Sequence, residues 1–250
     1  MSTDVGYCER EDVKRALQEA ELSGALGQEP AIVDDAIRAI SAWLRRRTRR
    51  HWYDSGGSGT LVGASARSVS TQRLDVPSSP HRQDRQLHRD AQGVRYPVTH
   101  AGPYARIQLP HYDVQSLTTL EVRDRGGGVT DWTAASDKVE GRGEDYYLLT
   151  EGDEFRTSYL YLRATSIGAR VDFDDLLTVG YDYGTDAQST AWDSVRHAVA
   201  NLAGADLAVD DDVKTAIPND GQLIAVETRA DRMINRALRV LGDYFETPVA

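Results

Sequence analysis

The chain has a single cysteine, three lysines and no apolar run as long as the roughly 18 residues that suggest a membrane-spanning helix. Cys8 alone cannot form an internal disulfide, and no Cys/His spacing suits zinc. Near a helix start, it reads as a small half-buried residue. The opening MSTDVGYCERED lacks the basic and apolar regions of a secretory signal, so synthesis in a cytoplasm is expected, with no membrane. HExxH, GxSxG and the P-loop are missing, and the glycines at 126–128 precede a strand pattern rather than a helix. The histidines at 51, 81, 88, 100, 111 and 197 show no metal spacing, and surface or interface positions are expected for them. Asp172, Asp174 and Asp175, like Asp210, Asp211 and Asp212, lack the glycine turn and distal glutamate of a calcium loop. Solvated acid is the expectation for both groups. These gaps argue against an enzyme, a cofactor or a metal.

What is abundant is charge of an uneven kind. The chain of 250 residues has a formal net charge of −10, with 27 Asp against 12 Glu and 26 Arg against the three lysines. Excess acid keeps a protein soluble and is a device of halophiles. Arginine makes planar bidentate pairs with carboxylates that a flexible lysine does not. The balance fits a salt-loving archaeon or its virus; a high-GC bacterial source also favours Arg over Lys.

Apolar spacing divides the chain. EREDVKRALQEAEL suggests a short helix with Val13, Ala16, Leu17 and Ala20 on one face. After the loop SGALGQEP, Pro30 suits the first turn of a second helix. Its stripe is Val33, Ala36, Ile37, Ile40, Trp43 and Leu44, with Trp43 and Trp52 expected as packing anchors. Arg45, Arg46, Arg47, Arg49 and Arg50 then continue that helix outward until DSGGSG ends it.

Between Thr60 and Thr185 the pattern changes to short alternating runs among Gly, Pro and Asp. ARSVSTQRL, YARIQL, LTTLEVRD, DYYLLT, TSYLYLRA and LLTVGYDYG are the strand candidates, and DRGGGVTDW reads as a hairpin connection. The polar stretch from Pro77 to Pro103 reads as a long loop or arm. Helical spacing returns with Trp192, Val195, Val199 and Leu202. DDDVKTAIPNDG breaks it. A last helix spans VETRADRMINRALRVLGDYF, with Thr228 and Asp231 as a capping box. Its stripe is Ala230, Met233, Ile234, Ala237, Leu238, Leu241 and Phe245, and the tail ETPVA is expected to fray. The expected class is α+β. An antiparallel helical bundle forms from residues 1–58 and 186–250, with a β-rich module inserted at 59–185.

This order of features resembles the head–tail connector, or adaptor, proteins of tailed double-stranded DNA viruses. YCEREDVKRAL resembles the family's short first helix, and AIVDDAIRAISAWLRRRTRRHW its long second helix with a basic-aromatic end. IQLPHYDVQSLTTLEVRD is similar to its Leu-Pro passage into a strand. LLTVGYDYG, leading into a long helix, is similar to its strand, Tyr, Gly, helix passage. The resemblance implies a structural virion protein in the neck, between capsid and tail. It implies a homo-oligomeric ring, usually of twelve copies, that docks under the portal protein, extends the DNA channel and offers a surface to the next neck or tail protein. Double-stranded DNA would pass without sequence-specific binding. The C-terminal helix and tail commonly contact the portal.

With that setting, the arginine run has three readings: subunit or portal contact, a solvated helix end beside the helix dipole, and a DNA grip. Salt weakens phosphate binding steeply, whereas bidentate Arg–carboxylate pairs act at contact range. The candidate contact residues are therefore Arg45, Arg46, Arg47, Arg49, Arg50, Arg236, Arg239, Tyr244 and Phe245. Removal of Arg236 to Ala250 is expected to leave the monomer folded. The alternatives are a tail-completion protein of similar fold and a nucleic-acid-binding protein using the Arg45–Arg50 helix end.

Overall fold

The computed structural model describes residues 5–22, 29–57, 59–74, 86–89, 95–101, 104–123, 128–151, 157–163, 166, 177–187, 190–209 and 220–245. The chain is a mixture of helices and antiparallel sheets in two compact units. One unit is Met1–Ser65 with Thr185–Ala250, and the other is Ala66–Gly184. Both aspartate groups, 172–175 and 210–212, lie outside the described residues, as do the tail 246–250 and part of the stretch between Pro77 and Pro103.

In the first unit, α1 (Arg10–Glu19) starts at Glu9, whose backbone N–H donates to the Asp12 carboxylate at 2.9 Å. The Glu9 carboxylate accepts the N–H groups of Leu61 and Val62 at 3.0 and 3.1 Å, fixing that segment to the helix start. α2 (Pro30–Thr48) has proline in its first turn, where the missing N–H costs no helical bond. It ends earlier than DSGGSG. Arg49 takes a left-handed conformation, φ 56°, and donates its N–H to the Arg45 carbonyl at 2.8 Å. A left-handed residue cannot continue the helix. Trp52–Tyr53 then forms β1, paired in parallel with Thr185–Asp186.

α3 (Thr190–Val209) is buried on more than one side: Val195, Ala198, Val199, Ala200, Ala203 and Ala205 are all nearly inaccessible. A helix with so wide an apolar surface needs several neighbours, and α1, α2 and α4 (Asp220–Leu241) each pack against it. At Gly204 an added Cβ would stand 2.9 Å from Met233 Cε, so glycine lets α3 and α4 approach closely. α4 begins before Thr228, which therefore lies inside the helix rather than capping it. The capping-box pattern misled because Thr and Asp three positions apart also occur by chance on an exposed helix face, where both residues are found. Cys8 is fully buried rather than half-buried, enclosed with Tyr7, Val13, Leu17, Ile37 and Trp52 in one apolar core.

The second unit holds two sheets. One has β2 (Arg67–Leu74), β10 (Leu177–Tyr183), β6 (Val114–Arg123) and β7 (Val129–Asp131), in that order. The other runs β3 (Gln86–Arg89), β4 (Arg95–Ala101), β5 (Tyr104–Gln108), β9 (Thr157–Arg163) and β8 (Tyr146–Glu151). The remaining short strand of the first unit, Thr185–Asp186, is β11. Alternation decides which face is buried. Leu177, Val179, Tyr181 and Tyr183 of β10 turn inward and meet Leu120, Ile107, Leu160 and Leu162 in one core.

The Pro77–Pro103 stretch is not simply a loop, since β3 and β4 lie within it and β4 pairs antiparallel with both β3 and β5. Its polar composition hid this. A ladder is made by backbone groups, and one β-favouring run, YPVT, is enough to carry a strand beside an established neighbour. The connection between β6 and β7 includes 124–127, outside the described residues; the two strands pair antiparallel as a hairpin requires.

Candidate functional site

The end of α2 separates the arginines by the geometry of one turn. Leu44 and Thr48 point into the core, so Arg46 and Arg47 face outward and are exposed, while Arg45 is half-buried. The left-handed turn at Arg49 then reverses the chain. Arg50, His51 and Trp52 run inward and are 3 %, 3 % and 1 % exposed. The expectation that the whole run points outward therefore fails at Arg50. A buried guanidinium needs partners, and Arg50 lies 5.6 Å over the Tyr244 ring.

His51 is a buried joint rather than a surface residue. Its Nε2 lies 3.2 Å from the Ser65 carbonyl, which can only accept, so Nε2 carries a proton. In the neutral ring, Nδ1 accepts from the Tyr7 hydroxyl at 3.2 Å. Tyr7 in turn sets its ring edge-on to Trp52, with centroids 5.3 Å apart. Trp52 also meets Tyr244 edge-on, at 5.8 Å. Trp52 is thus a packing anchor.

Trp43 is not one in the expected sense. It is 38 % exposed and meets Phe245 edge to face, with centroids 6.0 Å apart. The stripe of α2 is narrower than its apolar letters, because Trp43 lies at the margin beside the outward Arg46 and Arg47. Its reach to the end of α4 leaves no mark in local spacing.

The two candidate segments therefore converge. The last helical turn of α2 and the 3-10 turn Gly242–Tyr244 with Phe245 form one aromatic-basic patch. Arg236 and Arg239 are exposed on α4, and Arg236 lies 3.6 Å from Glu19 of α1, away from that patch by partner. Ala237 and Leu241 are fully buried, so removal of Arg236 to Ala250 would open the core. The corresponding expectation is corrected: a truncation that takes Ala237 and Leu241 cannot leave the core intact.

Elsewhere arginine pairs with acid inside the unit. Arg10 grips Asp34 in a fork, Nε and Nη2 at 2.5 and 2.6 Å from the two carboxylate oxygens. That hydrogen bond holds the Asp34 carboxyl below its ordinary value, against the opposing effect of burial. Arg196 meets Asp12 at 2.7 Å beside a groove of about 400 Å³ lined by Arg15, Glu19, Asp193 and His197. Among the described residues no group of three or more His, Cys, Asp or Glu side chains is placed to hold a metal ion. No described helix is long and apolar enough to cross a membrane.

A solved particle neck is similar to this chain. It is described as "Neck of native GTA particle computed with C12 symmetry", and the likeness has a TM-score of 0.35 and 15 % sequence identity, covering 88 % of this chain and 89 % of that one. No protein-family model and no curated protein matches the chain.

Proposed function

We propose that this chain is a structural neck protein of a tailed virus particle: an adaptor that forms a ring, joins the portal to the tail machinery and extends the DNA channel. The supporting observation is the convergence of two segments chosen independently. The arginine-ended α2 and the end of α4 make a single patch in which Trp43 and Phe245 are accessible, flanked by exposed Arg46 and Arg47. Aromatic residues with arginine at the margin are the composition of a protein contact. In this reading the patch docks on the portal. The arginines bind carboxylates at contact range, and DNA passes the pore without being gripped. The Asp-rich, Arg-rich composition supports a saline setting, such as that of a haloarchaeal virus, over a high-GC bacterial source.

The test is co-sedimentation with the purified portal ring of the same virus at high salt, the copy ratio being read by native mass spectrometry. Saturable binding at one copy per portal subunit is expected. Absence from the portal and presence on isolated tails would replace the adaptor with a tail-completion protein. Retention on duplex DNA at low salt that disappears with Arg46→Ser and Arg47→Ser would favour nucleic-acid binding.

A further inference from the structure

Beside the stripe that packs into the core, α2 carries a second apolar line. Ile32, Ala36, Ala39 and Trp43 follow one another at steps of four, three and four residues, the spacing of a helix-pairing seam. The line starts at the margin of the core and opens to solvent. Ala36 is 9 % exposed and Ala39 is exposed, while Ile32 and Trp43 keep 39 % and 38 % of their surfaces accessible. Phe245 meets the line at its Trp43 end.

The line reads the same from either end: a large residue, two alanines, a large residue. An antiparallel copy of α2, centred between Ala36 and Ala39, therefore sets Ile32 against Trp43 of the second copy and Ala36 against its Ala39. Alanines at the centre let two helix axes approach closely, and the larger residues fill the ends. Charge repeats the symmetry. The same placement brings Glu29 level with Arg46 and Arg47 of the second copy, and it does so twice. All three side chains are exposed, and none makes a hydrogen bond or ion pair among the described residues. The other charged side chains of α2 and its cap are engaged within the chain. Asp34 is held by Arg10, Asp35 lies 3.5 Å from Arg38, and Arg45 and Arg49 are half-buried and have partners.

We propose that the free chain pairs with a second copy along this line, α2 against α2 and antiparallel, and that the pair covers the Trp43 surface until the portal takes it. The covering role rests on the portal-docking reading above; the pairing itself does not. The occupant follows from the order of the residues. A palindrome in both size and charge is what a contact related by a twofold axis requires, since each position must suit its own mirror image. An unrelated partner places no such demand on the order within one helix. About three turns of helix bury less than a standard interface, so the pairing is reversible, as a surface that later changes partner must be.

The test uses the full chain at one fixed salt concentration, with circular dichroism to verify folding. Sedimentation velocity from about 1 μM to about 0.1 mM should show monomer passing into dimer. Ala39→Glu puts a charge at the exposed centre of the line, and Glu29→Arg sets like charges level with each other. Each should raise the dissociation constant about tenfold or more. Glu29→Arg combined with Arg46→Glu and Arg47→Glu should restore it. A photo-crosslinking residue at Ile32, in a mixture of isotopically labelled and unlabelled chains, should attach to the peptide Ala39–Arg45 of the other copy. A chain that stays monomeric throughout, a dimer indifferent to Ala39→Glu, or a charge reversal that the swap does not rescue would overturn the proposal. So would attachment of Ile32 to the Ile32 peptide of the other copy, which marks a parallel pair. Adding the purified portal ring should dissolve the dimer. A dimer that binds no portal removes the adaptor reading and leaves the pairing. A chain that loads the portal but never dimerises alone removes the pairing and leaves the adaptor. A portal that binds the dimer intact removes the covering role.

Discussion

Trp43 and Phe245 meet edge to face, 73° between their ring planes, although most of the chain lies between them. Neither residue is buried, and Trp43 keeps 38 % of its surface accessible. A half-exposed aromatic pair contributes modestly to folding and is available to a partner. Trp43→Ala should therefore lower stability by about 1 kcal/mol. On portal binding the same change should cost about 2 kcal/mol or more, if the pair is an anchor of that contact. Thermal melting and co-sedimentation of one variant measure both.

The arginines should divide by position. Arg46→Ser with Arg47→Ser leaves exposed side chains shortened and should leave the melting temperature nearly unchanged while weakening portal association. Arg50→Ser removes a buried side chain that covers Tyr244, and should destabilise the fold by about 1–3 kcal/mol. Equal effects of the two changes on melting would contradict the inward turn at Arg49.

Asp34 predicts an acid limb to stability. The Arg10 hydrogen bond lowers its carboxyl pKa in the folded state. The pair therefore contributes fully above the unfolded value of about 4 and loses its contribution as pH falls through the lower folded value. Asp34→Asn should be less stable than the parent at neutral pH, and the difference should shrink on acidification. Melting curves of both proteins across the acidic range supply the comparison; a gap that widens toward low pH contradicts this assignment.

Gly180 sits in β10, between β2 and β6. A Cβ there would stand 2.7 Å from Thr118 Oγ1 and 3.1 Å from the Ser70 carbonyl. Gly180→Ala should destabilise the sheet unit by about 1–3 kcal/mol, since a backbone atom cannot swing aside as a side-chain tip can. Denaturant unfolding with unchanged slope would record that loss.

Cys8 should be silent until the protein opens. Burial pushes its thiol far above the ordinary range, with Asp12 adding to the effect. Only thiolate reacts readily. Alkylation followed by mass spectrometry should show no adduct on the native chain and complete labelling in denaturant.

The sequence by itself determined the type of most elements. Val13, Ala16 and Leu17 are buried on α1, and Trp192, Val195 and Val199 on α3, as their three- and four-residue steps require. RSVSTQRL, YARIQ and LTVGYDY are strands where alternation placed them. Such periodicity is local, because a helix or strand must turn one regular set of side chains away from water. Tertiary structure alone decided what lies between elements. The left-handed Arg49 ends α2 before its glycines, and the ladder beside β5 recruits a polar stretch into β4. Trp43 is drawn to Phe245 instead of the core, and Arg106, Tyr161 and Tyr147 line up through register across three strands. Each of these depends on a partner distant in sequence, and no spacing rule within one segment carries information about which distant segment will supply it.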